Sequence, residues 1–304
     1  MFVEDVLAGT VRSASSVLFA AEGEVIAERS GIVNLGVEGC MLSGAVAAFA
    51  ITAETDLMPL GILGGAVAGA LLALLHAFLV IAGRANQLAS GLAVYFLRLG
   101  ATAALGYRYV SHPIAALDAV RVPLLADLPV VGPALFRQDP LTYAALALGP
   151  LLWLFLYRTR WGLILLATGE RGDVAFAYGH SPARVRYLAV TVGGALAGVG
   201  GAQLVLAYTR IWVENVTVGR GFVAVALVIF ATWDPLRATA GAFVFGGAVS
   251  LQLQLQARGV HVTSFALDAA PYVLTLAVLV LSSRGRALQR APEGLAAVFG
   301  RARG

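Results

Sequence analysis

Lysine is missing from this 304-residue chain, and all 21 basic side chains are Arg. That is the mark of a GC-rich genome rather than of a chemical requirement. Charge of either sign is scarce, at 12% of residues against roughly 25% in an ordinary soluble domain. The lone cysteine, Cys40, excludes an intrachain disulfide. Four scattered histidines give no metal-ligand spacing. No Gly-x-x-x-x-Gly-Lys-Ser/Thr phosphate loop is present, so the chain is not an ATPase of that kind. A net charge of +4 does not point to nucleic acid, because the Arg residues sit in loops beside apolar runs. Glu4 and Asp5 stand where a secretory leader would carry positive charge. The first apolar stretch is therefore expected to stay as an anchor.

Apolar residues make up 59% of the chain, and the mean hydropathy is +0.84. Several continuous runs approach the roughly 20 residues that span a bilayer. A β-barrel would instead alternate over short segments. The fold class is therefore all-α, a polytopic transmembrane bundle forming one domain over residues 1–304. About 8–10 spans are expected. A weak first span covers 4–27, interrupted by Arg12, Glu22 and Glu24. Others cover 34–53, 60–82, a stretch ending near Gly106, 141–157, 187–208, 238–256 and 269–283, with a short apolar segment at 221–232 stopped by Trp233-Asp234-Pro235. Gly65-x-x-x-Gly69 and the Gly193/Gly194/Gly198/Gly201 set allow close helix approach. His76, inside a span, reads best as a helix-contact histidine.

Two stretches depart from plain hydrophobicity. Glu28–Gly44 puts Glu28, Arg29, Asn34 and Glu38 within an otherwise apolar run and adds Gly31, Gly36, Gly39 and Gly44. A charge in hydrocarbon costs about 2.5–3.5 kcal/mol on insertion scales, which makes such a carboxylate a functional candidate. Glycine weakens helix continuity. The stretch is either a broken or re-entrant helix near residues 28–39 or a short loop with a helix start beyond it. The second stretch, Arg158–Arg186, is Arg-rich and holds a short segment, Asp173–Tyr178, between Gly172 and Gly179. It reads as a small helix outside the membrane between two turns. Residues 107–139 form a Pro-rich connection too interrupted for a long helix.

Orientation follows from the Arg asymmetry. With 158–186 in the cytoplasm, twelve Arg lie on that side, namely 84, 158, 160, 171, 184, 186, 237, 284, 286, 290, 301 and 303. Six lie outside, namely 108, 121, 137, 210, 220 and 258. Loop 107–139 is then extracytoplasmic and the C-terminus cytoplasmic.

The run Glu28-Arg29-Ser30-Gly31-Ile32-Val33-Asn34-Leu35-Gly36-Val37-Glu38-Gly39, followed by Met41-Leu42-Ser43-Gly44, resembles the signature of ABC-importer permeases for nucleosides and simple sugars. Four later blocks are similar to the same family in the same order. They are Gln87–Ala93, Ala167–Gly172 with Tyr178-Gly179, Gly221–Leu227, and Pro271–Leu276 with Ala291–Leu295. The resemblance covers about residues 10–298 and is nearest to the second, shorter permease of nucleoside systems. Two places differ. Residues 172–177 read Gly-Asp-Val-Ala-Phe-Ala where an Asn-Pro-x-Ala-Ala type is usual, and Ala231-Thr232 stands where Gly is common.

That resemblance implies a permease subunit in a bacterial inner membrane. It implies a tandem ABC ATPase that binds ATP and Mg, a second homologous permease and an extracytoplasmic binding protein as partners, with no cofactor in this chain. It also implies that Gly169, Glu170, Arg171, Asp173, Val174, Ala175, Tyr178, Gly179 and Arg184 form the ATPase-coupling segment. For the substrate pathway the candidates are Asn34, Glu38, Asn86, Gln87, Ser90 and Phe222. Asn and Gln supply the neutral donors and acceptors that sugar hydroxyls and base edges need. Glu38 either lines water or ties the broken backbone to a neighbouring helix, and Phe222 either stacks on a base or sugar face or packs. The substrate expected is a nucleoside, with a simple sugar such as ribose or galactose as the alternative. Two other classes are weighed. An ion-coupled secondary transporter would need Glu38 as its carboxylate, and an integral membrane enzyme would need a His/Asp/Glu cluster that is not evident.

Overall fold

The computed structural model describes residues 2–110, 114–115, 117–259, 264–283 and 291–295. The helices are α1 (Phe2–Arg29), α2 (Val37–Thr55), α3 (Met58–Ile81), α4 (Gln87–Gly106), α5 (Val131–Leu135), α6 (Pro140–Arg158), α7 (Arg160–Glu170), α8 (Gly172–Ala177), α9 (Pro182–Gln203), α10 (Arg220–Phe230), α11 (Pro235–Ala257) and α12 (Ser264–Ser283). Six of them, α2, α3, α4, α6, α9 and α11, are long and apolar enough to cross a bilayer. At 28 and 20 residues, α1 and α12 match them in length. Short turns and a two-residue ribbon, Val120 opposite Gln138 and Arg121 opposite Arg137, fill most of 107–139.

The first span is not interrupted. α1 is one helix, buried almost continuously from Val11 to Glu28. Three of its charged side chains find partners in the bundle: Thr239 Oγ1 donates to Glu22 at 3.0 Å, Trp233 Nε1 donates to Glu28, and Arg12 Nε donates to Gln138 Oε1 at 3.2 Å. Sequence periodicity could not show this, because the partners lie more than 100 residues away.

α1, α2 and α9 form the centre. The apolar windows of α2 and α9 are 72% and 67% buried, against 22–33% for α3, α4, α6 and α11, which leave apolar faces outward. Small residues allow the central contacts. A Cβ on Gly201 would lie 1.9 Å from Met41 O, one on Gly198 2.2 Å from Gly65 O, one on Gly69 2.2 Å from Gly194 O and one on Gly23 2.4 Å from Gly193 O. These backbones touch, so dispersion accumulates between main chains rather than side chains.

Helix directions follow from the same contacts. α1 runs antiparallel to α9 and α11, since Ser30 meets Arg186, Gly200 meets Ser16, Glu28 meets Trp233 and Val6 meets Ser250. One end of the bundle therefore carries the end of α1, the start of α9 and the short helices α7 and α8. The other carries the ends of α2, α4 and α11 and the ribbon of 107–139.

The expected loop 158–186 is largely helical. α7 takes its first half, with Thr159 Oγ1 accepting from Gly162 N at 3.1 Å as the N-cap. α8 takes in Gly172, one residue ahead of the expected start at Asp173, and α9 begins at Pro182 rather than 187. Arg220, counted above among the outer-loop arginines, is buried in the bundle, because residues 209–219 turn back inward before α10 starts. Arg284, Arg286, Arg290, Arg301 and Arg303 lie outside the described residues.

Candidate functional site: a broken-helix junction and an exposed short helix

Residues 30–36 leave helical geometry at Gly31, whose φ of +93° suits glycine, and all but the half-buried Leu35 stay buried. Non-helical backbone at membrane depth is tolerated only where protein or water satisfies it. Here protein does so. Arg186 Nε donates to Ser30 O at 3.2 Å, and Gln87 Nε2 donates to Gly31 O at 3.5 Å. Val33 N donates to Gln87 Oε1 at 2.8 Å, and Val33 O lies 3.0 Å from His76 Nε2. Gly36 N donates to Asn34 Oδ1 at 2.9 Å. His76 Nδ1 lies 3.1 Å from Ser90 Oγ, which ties α3 to α4 behind the break.

A second interruption faces the first. Residues 209–219 descend from the end of α9 with Trp212, Val216 and Thr217 buried. α10 then covers only the half of the bundle between Ser13–Ser16 and Glu28 of α1: Arg220 Nη1 donates to Ser13 O at 3.2 Å and Ser16 Oγ at 3.0 Å, while Trp233 meets Glu28. The two helix N-termini meet at Glu38. Its Oε1 accepts from Thr217 Oγ1 at 2.5 Å and Gly219 N at 2.8 Å, and its Oε2 accepts from Gly221 N at 2.6 Å. Glu38 lies in the first turn of α2 and its carboxylate covers the first amides of α10. Both positive helix ends favour that negative charge. Added to the charge-assisted hydrogen bonds, this is how a carboxylate 1% exposed is accommodated.

The sequence candidates thus fall into different places. Asn34, Glu38, Gln87 and Ser90 gather at the junction, with hydrogen-bonding atoms engaged by protein. Asn86 is exposed and caps α4, its Oδ1 accepting from Ala89 N at 3.0 Å. Phe222 packs edge-on to Tyr95 at 5.2 Å between ring centres and lines a cavity of about 300 Å³ with Gly219, Val223, Tyr272 and Leu276. Sequence reasoning passed over Arg98, a cation at the middle of α4 that donates from Nε to Ser43 Oγ at 2.5 Å. Its signal was visible as one Arg within an apolar span. It also did not separate Glu24 from its neighbours; both Glu24 oxygens are buried, and among the described residues neither makes a hydrogen bond of ordinary geometry.

At the α1-terminal end, α8 stands clear of the bundle. Phe176 and Tyr178 are 71% and 80% exposed and Val174 is also exposed, while Ala175 packs inward. Arg171 Nη2 pairs with Asp173 Oδ2 at 3.1 Å, a hydrogen bond that holds the Asp173 carboxyl below its ordinary range. Gly179 turns the chain at φ +82° with open space around it. Arg184 is exposed, its amide capped by Ser181 Oγ at 3.5 Å. Gly169 lies against the end of α1, where a Cβ would come 2.0 Å from Arg29 O. Glu170 Oε2 accepts from Glu293 N at 3.2 Å, pinning the 291–295 segment there. Arg186 donates to both Ser30 O and Thr168 O, at 3.2 and 3.5 Å. α7 therefore meets the start of the broken segment by main-chain contact at Gly169, and the Arg186 side chain of α9 bonds to both.

Residues 6–283 match the family profile described as branched-chain amino acid transport system permease component. A putative glucose ABC transporter permease of Haloferax volcanii is 43% identical over 259 residues, covering 84% of this chain and 79% of the relative. A nucleoside ABC transporter permease of Lactococcus lactis is 33% identical over 304 residues, covering 95% of each chain. A guanosine ABC transporter permease of Bacillus subtilis is 32% identical over 290 residues, covering 90% of each. No solved structure matches the chain.

Proposed function

The chain belongs to the permease-component family of the branched-chain amino acid transport type, and from that premise we propose that it forms part of the solute pathway of an ATP-driven importer in the inner membrane and carries a nucleoside. Its role is transport rather than catalysis. The observation that carries the reading is the exposed helix α8 joined through Gly169 and Arg186 to the broken segment 30–36. A partner ATPase seated on Phe176 and Tyr178 would move α7 and α9 as rigid units. Those units hold Ser30 and the end of α1, so motion would reach the break and Glu38 without an intervening flexible loop. ATP and Mg belong to that partner.

On this reading α8 faces the cytoplasm, as the Arg asymmetry favours, and the 107–139 ribbon meets an extracytoplasmic binding protein. On the same reading the C-terminus is cytoplasmic. A second homologous permease completes the pathway and covers part of the apolar outer faces, with lipid covering the rest. The break built from Asn34, Glu38, Gln87 and Ser90 shapes the pathway wall, and Phe222 offers an aromatic edge beside it. Nucleoside import is supported by the two relatives named for nucleoside and guanosine. A second reading, import of a hexose, is favoured by the relative named for glucose at 43% identity.

The test is uptake of radiolabelled guanosine, uridine and glucose by cells making this chain with its ATPase, second permease and binding protein. An ATPase-inactive control accompanies each. Nucleoside uptake lost in the control is the expected result. Uptake of glucose alone would keep the mechanism and replace the substrate. Uptake that survives the control would remove the ATP-coupled mechanism.

A further inference from the structure

A cavity of about 380 Å³ lies between α2 and α4 at the bundle end remote from α8, lined by Ala47, Ala50, Arg98, Leu105, Arg108 and Tyr109 among others. Its size falls within the roughly 300–1,000 Å³ of small-molecule sites. Two arginines line it, and among the described residues neither makes an ion pair. Arg98 belongs to the middle of a membrane-length helix and is half-buried, so it is a functional candidate on physical grounds. Its orientation is set from one side. Nε donates to Ser43 Oγ at 2.5 Å, and Ser43 Oγ donates in turn to Gly39 O at 2.6 Å. Among the described residues the two terminal guanidinium nitrogens have no hydrogen-bond acceptor. Tyr109 is steadied by Glu54, which accepts from its hydroxyl at 3.1 Å, and by an edge contact with Phe49. The small side chains Ala47 and Ala50 leave the space open.

A planar guanidinium with its remaining donors free suits a ligand edge with two adjacent acceptors. Guanine O6 and N7 form such an edge, and so does a vicinal pair of sugar hydroxyls. Resting on the importer reading above, we infer that Arg98, with Arg108 at the mouth, is the subsite where the incoming neutral solute is recognised by a paired-acceptor edge after delivery. Ser43 is a positioning residue that aims the fork. Two arginines that make no ion pair among the described residues also raise the barrier for cationic solutes.

The experiment uses the complete importer, with the binding protein saturated by each solute so that discrimination added by the permease is read separately. Initial uptake rates are compared for guanosine against 7-deazaguanosine, and for glucose against a deoxyglucose lacking one of the vicinal hydroxyls. Solute-independent ATP hydrolysis of the assembled complex serves as the folding control. The unmodified importer is expected to prefer the complete solute at least 10-fold in one arm. Arg98→Gln and Arg98→Lys should bring that ratio close to 1, because Lys keeps the charge and loses the fork. Ser43→Ala should lower it several-fold. The arm that responds identifies the solute. A ratio unchanged by both Arg98 variants, or equal slowing of both solutes, would overturn the subsite and leave the importer intact. Competition by guanosine 5′-monophosphate that disappears in Arg98→Gln would overturn the neutral-solute assignment in favour of a phosphate. Absence of ATP-dependent uptake by the unmodified complex would overturn the importer reading and the subsite with it.

Discussion

The Glu38 carboxylate accepts a hydrogen bond from the Gly221 amide at 2.6 Å, joining the first turn of α2 to the first turn of α10. Those residues are 183 positions apart and follow directly on the two breaks of the chain. The carboxylate serves as a cap for a helix other than its own. Gly221 is required there, because a Cβ on it would come 2.6 Å from both Glu38 Cα and Glu38 N.

Glu38→Gln keeps the shape but turns an amide NH₂ toward donors. Hydrogen bonds to charged groups are worth about 1.5–3 kcal/mol each, and a buried amide left without an acceptor costs about 1–3 kcal/mol. The expected result is a loss of about 2–4 kcal/mol, read as a lower midpoint of thermal inactivation of the purified complex. Uptake should fall in proportion to the folded fraction. Full stability with loss of a pH-dependent uptake component would instead make Glu38 an ion-coupling group, as the secondary-transport alternative requires.

Gly198 and Gly100 form a matched pair for the central packing. A Cβ on Gly198 meets Gly65 O at 2.2 Å, whereas one on Gly100 meets nothing within 4 Å. Gly198→Ala should destabilise by about 1–3 kcal/mol through overpacking. Gly100→Ala should be neutral or stabilising by up to about 1 kcal/mol through helix propensity. Thermal inactivation of both variants side by side checks this. Equal effects would mean that the small residues of α9 do not set the interhelical distance.

Phe176→Ala and Tyr178→Ala remove exposed rings from α8 and should leave stability within about 0.5 kcal/mol. Uptake should fall at least 10-fold, with the permease still inserted and co-purifying poorly with its ATPase. Normal co-purification and normal uptake from the double variant would place the ATPase contact elsewhere.

Much of this arrangement was legible in the residues, and the limits are physical. Local chemistry marked the break, because Gly31 and Gly36 weaken helix continuity and Asn34 brings a polar amide into an apolar run. It marked the short helix between Gly172 and Gly179 to within one residue, and the end of α10 to within two, at 232 against Phe230. Long-range satisfaction was not legible. Glu22 and Arg12 read as interruptions of the first span, since nothing nearby in sequence announces Thr239 or Gln138 as partners. Arg220 read as an outer-loop cation, since the inward return of 209–219 depends on Glu38. Arg98 was passed over because its significance lies in Ser43, 55 residues earlier, and in a cavity that exists only once α2 and α4 pack.

Gln87 carries a further prediction about the break. It accepts from Val33 N at 2.8 Å and donates toward Gly31 O at 3.5 Å, standing in for a helical turn that the backbone lacks. Gln87→Glu keeps the acceptor for Val33 N, and Gln87→Leu keeps only the volume. The Leu variant leaves a buried amide unsatisfied and should cost about 1–3 kcal/mol, with the Glu variant closer to the unmodified chain. Hydrogen exchange at residues 31–36 reads the difference directly. Equal protection in both variants would show that His76 and Asn34 alone hold the segment.

Glu24 supplies the sharpest separation of stability from function. It is fully buried in α1, one turn from Glu28, and among the described residues neither of its oxygens makes a hydrogen bond of ordinary geometry. A buried polar group without a partner costs about 1–3 kcal/mol in protein mutational data, and a well-packed apolar side chain of similar volume avoids that cost. Glu24→Met is therefore expected to raise stability by about 1–3 kcal/mol, measured as a higher thermal-inactivation midpoint with uptake unchanged. A drop in stability would mean that the carboxyl group is satisfied by a water or ion bound within the bundle. Higher stability joined to lost uptake would carry a different meaning. Natural chains retain a destabilising group chiefly where activity needs it, and Glu24, beside the start of the break, would then join Glu38 as a group whose local cost is tied to movement of the pathway.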